Sequence, residues 1–238
     1  MKLTETKLEG DGDFRSEECV KLLDEADVVV TNPPFSLFRE YVAQLVEHGK
    51  KFLIIGQINN CTYKEIFPLI KANKMWLGVT GYMTDMVFGV PEGAEVKQYD
   101  REKAAKMGYV GNYTRLGNTC WYTNLDHKRR HDNLVCVEKY DPVKYPKFDN
   151  YDAVEVGKYT DIPKDYDGVM GVPISYLMHH NPEQFEIVGT TENGLCDKAL
   201  WIHPEEKHNE PFIDGKKKYT RILIRRKPVG ENAETPAA

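Results

Sequence analysis

The sequence predicts an α/β protein built on a parallel sheet, followed by an irregular, strand-rich C-terminal region. Two short apolar runs, Val28-Val29-Val30-Thr31 and Phe52-Leu53-Ile54-Ile55, have the continuous hydrophobicity of strands buried on both faces. Between them Leu37, Phe38, Tyr41, Val42, Leu45 and Val46 recur at helical spacing, and Gly49 ends the pattern. Beyond about residue 140 the runs are β-like and separated by stretches rich in Tyr, Pro, Asp and Lys.

The elements follow in order. Ser16 is placed to cap a short helix containing Val20, Leu22 and Leu23. The first strand is residues 28–31. Ser36 is placed to cap the next helix, and residues 52–55 form the second strand. Thr62 and Glu65 have capping-box spacing for a third helix, which Pro68 should shorten. Residues 75–79 are a third strand. Further strands are expected at 120–125, 134–140, 169–177, 185–190 and 221–225. A boundary is expected near Tyr140, and residues 229–238 read as a disordered tail. In open α/β sheets ligands bind outside the carboxyl ends of the strands.

With 238 residues, 41% hydrophobic and 29% charged, the chain has enough material for a sizeable core. Its longest apolar runs fall well short of the ~20 residues that span a bilayer, and Met1-Lys2-Leu3-Thr4-Glu5 has no apolar signal region. The expectation is a cytoplasmic protein with no membrane partner. The five cysteines are scattered and form no C-x-x-C pair, which predicts neither disulfides nor metal. Net charge is −5. Two basic clusters stand out, His127-Lys128-Arg129-Arg130-His131 and Lys216 to Lys227. Each reads either as a solvated face or as a nucleic-acid contact.

The chemistry concentrates at Asn32-Pro33-Pro34-Phe35, at the end of the first strand. Such a motif arises by chance in roughly one chain in a hundred at ordinary proline frequency. The bland alternative is a strand stop marked by prolines. The functional reading concerns exocyclic amines, whose lone pair is delocalised into a nucleobase ring. Acceptors aimed at the N–H groups hold the amine and favour the pyramidal geometry that frees the lone pair. Asn32 supplies a side-chain carbonyl and Pro33 a backbone carbonyl, and the two prolines fix the backbone between them. Phe35 supplies a face for a flipped base, a contact worth about 1–3 kcal/mol.

Asn32 to Phe35 resembles the catalytic motif of N6-adenine DNA methyltransferases. Longer strings resemble the EcoRI-type adenine-specific family. They are Gly10-Asp11-Gly12-Asp13-Phe14-Arg15-Ser16, Ala26 through Glu40, Trp121 through Asp126, and Asp165 through Ile174. The resemblance covers most of the chain, to about Lys227. It implies a Rossmann-like methyltransferase fold, S-adenosylmethionine as donor, and duplex DNA with a flipped adenine as substrate, as in restriction-modification. Residues 1–140 are then a partial catalytic core, and 141–228 complete the sheet and recognise DNA.

Carried over by residue, Asn32 and Pro33 accept from the adenine amine, Pro34 stiffens the turn, and Phe35 stacks. Asp13 and Phe14 match the segment holding the donor's adenine; otherwise Asp13 is an ordinary loop aspartate. Trp121 and Tyr122 are candidates for the opposite face of the base, or core residues beside a strand. Lys128, Arg129 and Arg130 are candidates for DNA phosphates. Gly168 to Gly171 permits a close turn.

The Gly-rich loop that the family places before the catalytic motif has no counterpart in residues 1–31. The chain therefore reads as N-terminally short, with an incomplete donor half. The nearest alternative is the stretch beginning Ile187-Val188-Gly189. Two other readings stay open. One is a non-catalytic DNA-binding relative. The other is an enzyme acting on RNA adenine or protein glutamine. Oligomeric state is not set by the sequence: a monomer and a chain whose site a partner completes both stay open.

Overall fold

The computed structural model describes residues 7–79, 86–192, 194–202 and 210–228. The expected tail, 229–238, lies outside them. Ser16 caps α1 (Glu17–Glu25), its hydroxyl accepting from the Cys19 N–H, with Glu17 and Glu18 near the positive helix end. The chain continues into β1 (Val28–Thr31), α2 (Phe38–Glu47) and β2 (Lys51–Gln57). β1 and β2 pair in parallel, Val28 opposite Lys51 through Thr31 opposite Ile54. α2 crosses between them and buries Phe38, Val42 and Leu45. Gly49, at φ +60°, supplies the left-handed turn after it.

α3 (Phe67–Lys71) and β3 (Trp76–Leu77) follow, then a separate unit of β4 (Met86–Gly89), α4 (Gln98–Lys106) and β5 (Tyr113–Leu116). β6 (Thr119–Thr123) returns antiparallel between β2 and β3, giving the order β1-β2-β6-β3. β1, β2 and β3 therefore point the same way, and their carboxyl ends share one edge.

The remaining strands are β7 (Val154–Glu155), β8 (Met170–Pro173), β9 (Phe185–Thr190), β10 (Phe212–Ile213), β11 (Lys216–Lys217) and β12 (Arg221–Arg226). Four form a second sheet, β7-β8-β12-β9, with β12 antiparallel to β8 and β9. β10 and β11 make a small hairpin. Both large sheets feed one core: Phe38, Phe52 and Tyr122 belong to the same buried cluster as Met170, Phe185 and Ile222.

Several expectations are corrected. Ser36 caps nothing, because the chain enters α2 through a 3-10 turn, Phe35–Leu37, without a side-chain cap. Thr62 and Glu65 form no capping box. The Thr62 hydroxyl donates to the Asn59 carbonyl, and Glu65 pairs with Arg39 at 3.6 Å. Residues 134–140 are not a strand. The Gln184 side chain takes both backbone groups of Leu134, at 2.7 and 2.8 Å, and Val135 and Val137 face solvent. The expected strand at 169–177 stops at Pro173 and becomes a 3-10 helix, Ile174–His179. α4 went unanticipated because only Ala104 is buried, so its sequence carries almost no apolar face.

α2 is locked to the sheet where Gly56 admits two rings. A Cβ there would meet Phe38 at 2.6 Å and Tyr122 at 2.9 Å. Gly56→Ala is expected to lower stability by about 1–3 kcal/mol, read from the urea midpoint at constant slope.

Candidate active site

Asn32-Pro33-Pro34-Phe35 leaves the carboxyl end of β1, at the edge shared with β2 and β3. Pro33 is buried and Asn32 exposed, so the backbone is anchored while the amide faces outward. The Pro34 carbonyl accepts from the Leu37 N–H at 3.0 Å, and the Phe35 carbonyl accepts from the N–H of Phe38. Those two carbonyls are tied into the 3-10 turn, and the Pro33 carbonyl lies outside it. Phe35 is 38% exposed, so its ring is accessible beside Asn32.

The segment Asp13-Phe14-Arg15 packs against the first turns of α2. The Phe14 ring meets Tyr41 edge-on at 4.9 Å, and the Gln44 amide donates to the Phe14 carbonyl at 3.1 Å. Asp13 is engaged by Arg15, at 3.0 Å from Nε and 2.7 Å from Nη2. That guanidinium holds the Asp13 carboxyl down at about 2. Phe14 also borders an apolar groove of about 370 Å3 along β1, beside Gln44, whose buried Oε1 has no hydrogen-bond partner among the described residues. An aromatic edge and an open acceptor suit a purine-bearing donor, and Asp13 Oδ2, which accepts from Arg15 Nη2 alone, keeps acceptor capacity beside them.

Trp121 and Tyr122 cannot flank one base together, because successive strand residues face opposite sides of a sheet. Tyr122 is a core residue, and its expected stacking role is corrected. It is fully buried, set against Phe38 at 5.1 Å, and its hydroxyl donates to the Gln57 carbonyl at 2.7 Å. Trp121 is half-buried and pairs with Ile55. The β1–β2 register puts Asn32, one residue past Thr31, level with Ile55. Trp121 thus shares a row with Asn32, two strand spacings or roughly 10 Å away.

The basic cluster 127–131 divides in the same way. Arg130 is buried over the Trp76 ring at 3.5 Å and donates to Asp126 and Asn73, so its expected phosphate role is corrected to a structural one. Arg129 donates to the Val79 carbonyl at 2.8 Å, and Lys128 is exposed. The Gly189 region is not a donor loop. It lies in β9, antiparallel to β12, with Cys196 packed where a Cβ would sit at 2.3 Å. Burial pushes the Cys120 thiol beneath the sheet up to about 12, which removes it as a nucleophile.

Sequence reasoning missed a broad polar cleft of about 1010 Å3 beginning at Arg39, one helical turn beyond Phe35. Its walls come from residues far apart in the chain, including Asn59, Tyr63, Glu192 and Tyr219. No local spacing could have revealed it.

Arg130→Ala is expected to cost about 2–3 kcal/mol, through lost hydrogen bonds and stacking, whereas Lys128→Ala stays within ~0.5 kcal/mol; urea melts separate them. His180, beside the same cluster, bonds the Tyr176 hydroxyl through Nδ1 at 2.9 Å. Burial, then Arg130 and Lys227, push its imidazole down from 6.5 to about 4. Unfolding therefore takes up a proton. This contribution is complete above pH 6.5 and falls by up to about 3 kcal/mol toward pH 4, a slope that His180→Asn should flatten.

Comparison with known proteins bears on the whole chain. The family model described as adenine-specific methyltransferase EcoRI matches residues 1–227. The type II methyltransferase M.EcoRI of Escherichia coli is 50% identical over 221 residues, 92% of this chain and 63% of that protein. M.MgeORF184P of Mycoplasma genitalium is 37% identical over 96% of this chain and 73% of its own length, and M.MpnI of Mycoplasma pneumoniae is 35% identical over 95% and 72%. The chain thus spans less than two thirds of the length of the Escherichia coli relative. No solved structure matches. With a family match over nearly its whole length, the chain belongs to the EcoRI adenine-specific methyltransferase family.

Proposed function

We propose that this chain carries the base-holding half of a site-specific DNA adenine N6-methyltransferase acting on duplex DNA in the cytoplasm. The observation that carries this reading is the state of the motif. Asn32 and the Pro33 carbonyl lie outside the internal bonding of the turn, at the carboxyl end of the parallel β1–β2 pair of a mixed sheet, beside an exposed Phe35. The parallel β1–α2–β2 unit supports a Rossmann-like fold.

In this reading the Asn32 side-chain carbonyl and the Pro33 carbonyl accept the two N–H bonds of a flipped adenine amine. Their fixed positions favour the pyramidal nitrogen, and the proton leaves after attack. Pro34 holds the turn, Phe35 stacks on the base, and Trp121 bounds the site on the same row. Lys128 and Arg129 meet backbone phosphates. S-adenosylmethionine supplies the methyl group when bound, with Phe14 and Asp13 as candidate holders of its adenine. A second reading is a non-catalytic DNA-binding relative, in which Asp13 stays with Arg15 and holds no donor.

The test supplies S-adenosylmethionine with a labelled methyl group to the purified chain and plasmid DNA, then digests the DNA to nucleosides. Label in N6-methyladenine is expected. Asn32→Ala should lower kcat about 10²–10³-fold, while Phe35→Ala mainly raises KM. Label in an RNA adenine or a glutamine peptide in preference to DNA would reject the DNA reading. Salt-dependent DNA binding without any label would establish the non-catalytic one.

A further inference from the structure

The second basic cluster, Lys216 to Lys227, is sorted by the structure into two parts. Arg221 is buried and its Nε donates to both Glu155 oxygens at 3.0 Å. Arg226 donates to the Pro163 carbonyl and lies over Phe185 at 4.9 Å. These two are internal. β10 packs inward through Ile213, whereas Lys216 and Lys217 of β11 are exposed and the chain runs on to Tyr219, which is 85% exposed.

Tyr219 lines the cleft that begins at Arg39. From the other half of the chain comes Tyr63, 37% exposed, with the Arg39 guanidinium 5.6 Å from its ring centre. Tyr63 follows the carboxyl end of β2, and Arg39 is one turn past Phe35, so the cleft opens on the edge that carries the motif.

Its charges nearly cancel. Arg39 and Lys64 both approach Glu65, Arg221 pairs with Glu155, and Glu192 accepts from the Thr220 hydroxyl at 2.6 Å, which leaves Lys64 as the one loosely held cation among the described lining residues. A phosphate grip would show a surplus of unpaired cations. This surface offers aromatic faces together with neutral donors and acceptors from Asn59 and Thr220, the chemistry that meets bases.

We propose that the cleft between Tyr63 and Tyr219 is a nucleotide subsite. It holds the DNA next to the methylated adenine, with the two rings stacked on bases unstacked by flipping and Lys64 against the backbone. The inference rests on DNA being the substrate. It adds a base-contacting wall that belongs to neither the motif nor the 127–131 cluster.

The experiment is fluorescence anisotropy of the full chain with a labelled duplex of mixed sequence, titrated over a range of salt, alongside the methyl-transfer assay. Tyr63→Ala and Tyr219→Ala are each expected to weaken binding about 5–150-fold with the salt slope unchanged. The Tyr→Phe variants should bind like the parent. Lys64→Ala should reduce the slope by about 0.9. Alanine variants that bind and methylate like a competent parent overturn the subsite and leave the methyltransferase reading standing. A parent that neither binds nor methylates overturns both. Loss of binding in the alanine variants of a parent that binds without methylating sustains the subsite and removes only the catalytic reading. Weakening by Ala and Phe variants alike assigns the tyrosines a hydroxyl contact and overturns stacking.

Discussion

The packing of Phe38, Gly56 and Tyr122 governs the geometry of the site. Phe38 is the first residue of α2, and Gly56 is the penultimate residue of β2. Only the missing Cβ at Gly56 lets both rings reach the sheet. The Tyr122 hydroxyl then closes on the carbonyl of Gln57, tying β6 to the same spot. With α2 fixed at its first residue, the turn from Asn32 to Leu37 must span a set gap between β1 and the helix. Two prolines and a 3-10 turn span it with little freedom. The acceptors that the proposed chemistry needs are held by packing behind them, not by bonds to their own side chains.

The same packing explains why two neighbouring aromatics have different fates. Tyr122 serves the core because it faces α2. Trp121, on the opposite face, remains half-buried and level with the motif. Arg130 and Lys128 divide similarly. One lies buried over an indole and donates to Asp126 and Asn73, and the other is in solvent. In each pair, residues of like chemistry one or two positions apart are separated by which side of an element they occupy.

The C-terminal sheet is more than an appendage, since its Met170, Phe185 and Ile222 join the core of the first sheet. Its loops form the far wall of the cleft beyond Arg39. Arg221 and Glu155 brace that wall from inside, leaving Tyr219 to project from the hairpin side. A largely buried, multiply bonded ion pair beneath an exposed aromatic gives a firm base to a contact surface.

The sequence by itself determined the local elements whose signals are short-range: Val28–Thr31 as a strand, the Ser16 cap, the helical stripe from Phe38 to Leu45, and Phe185–Thr190. Hydrophobic period and capping chemistry are properties of neighbouring residues, and they survive without tertiary context. It also picked out Asn32 to Phe35, because that motif is contiguous. Only the tertiary structure decided the rest. Residues 134–140 read as a strand until Gln184, fifty residues away, took the backbone groups of Leu134 that a ladder would have used. Tyr122 read equally as a base contact or a core residue, and Arg130 as a solvated or phosphate-facing cation, until burial and partners decided both. The cleft from Arg39 to Tyr219 appears only when two sheets meet, since its walls are distant in the chain and no spacing rule connects them.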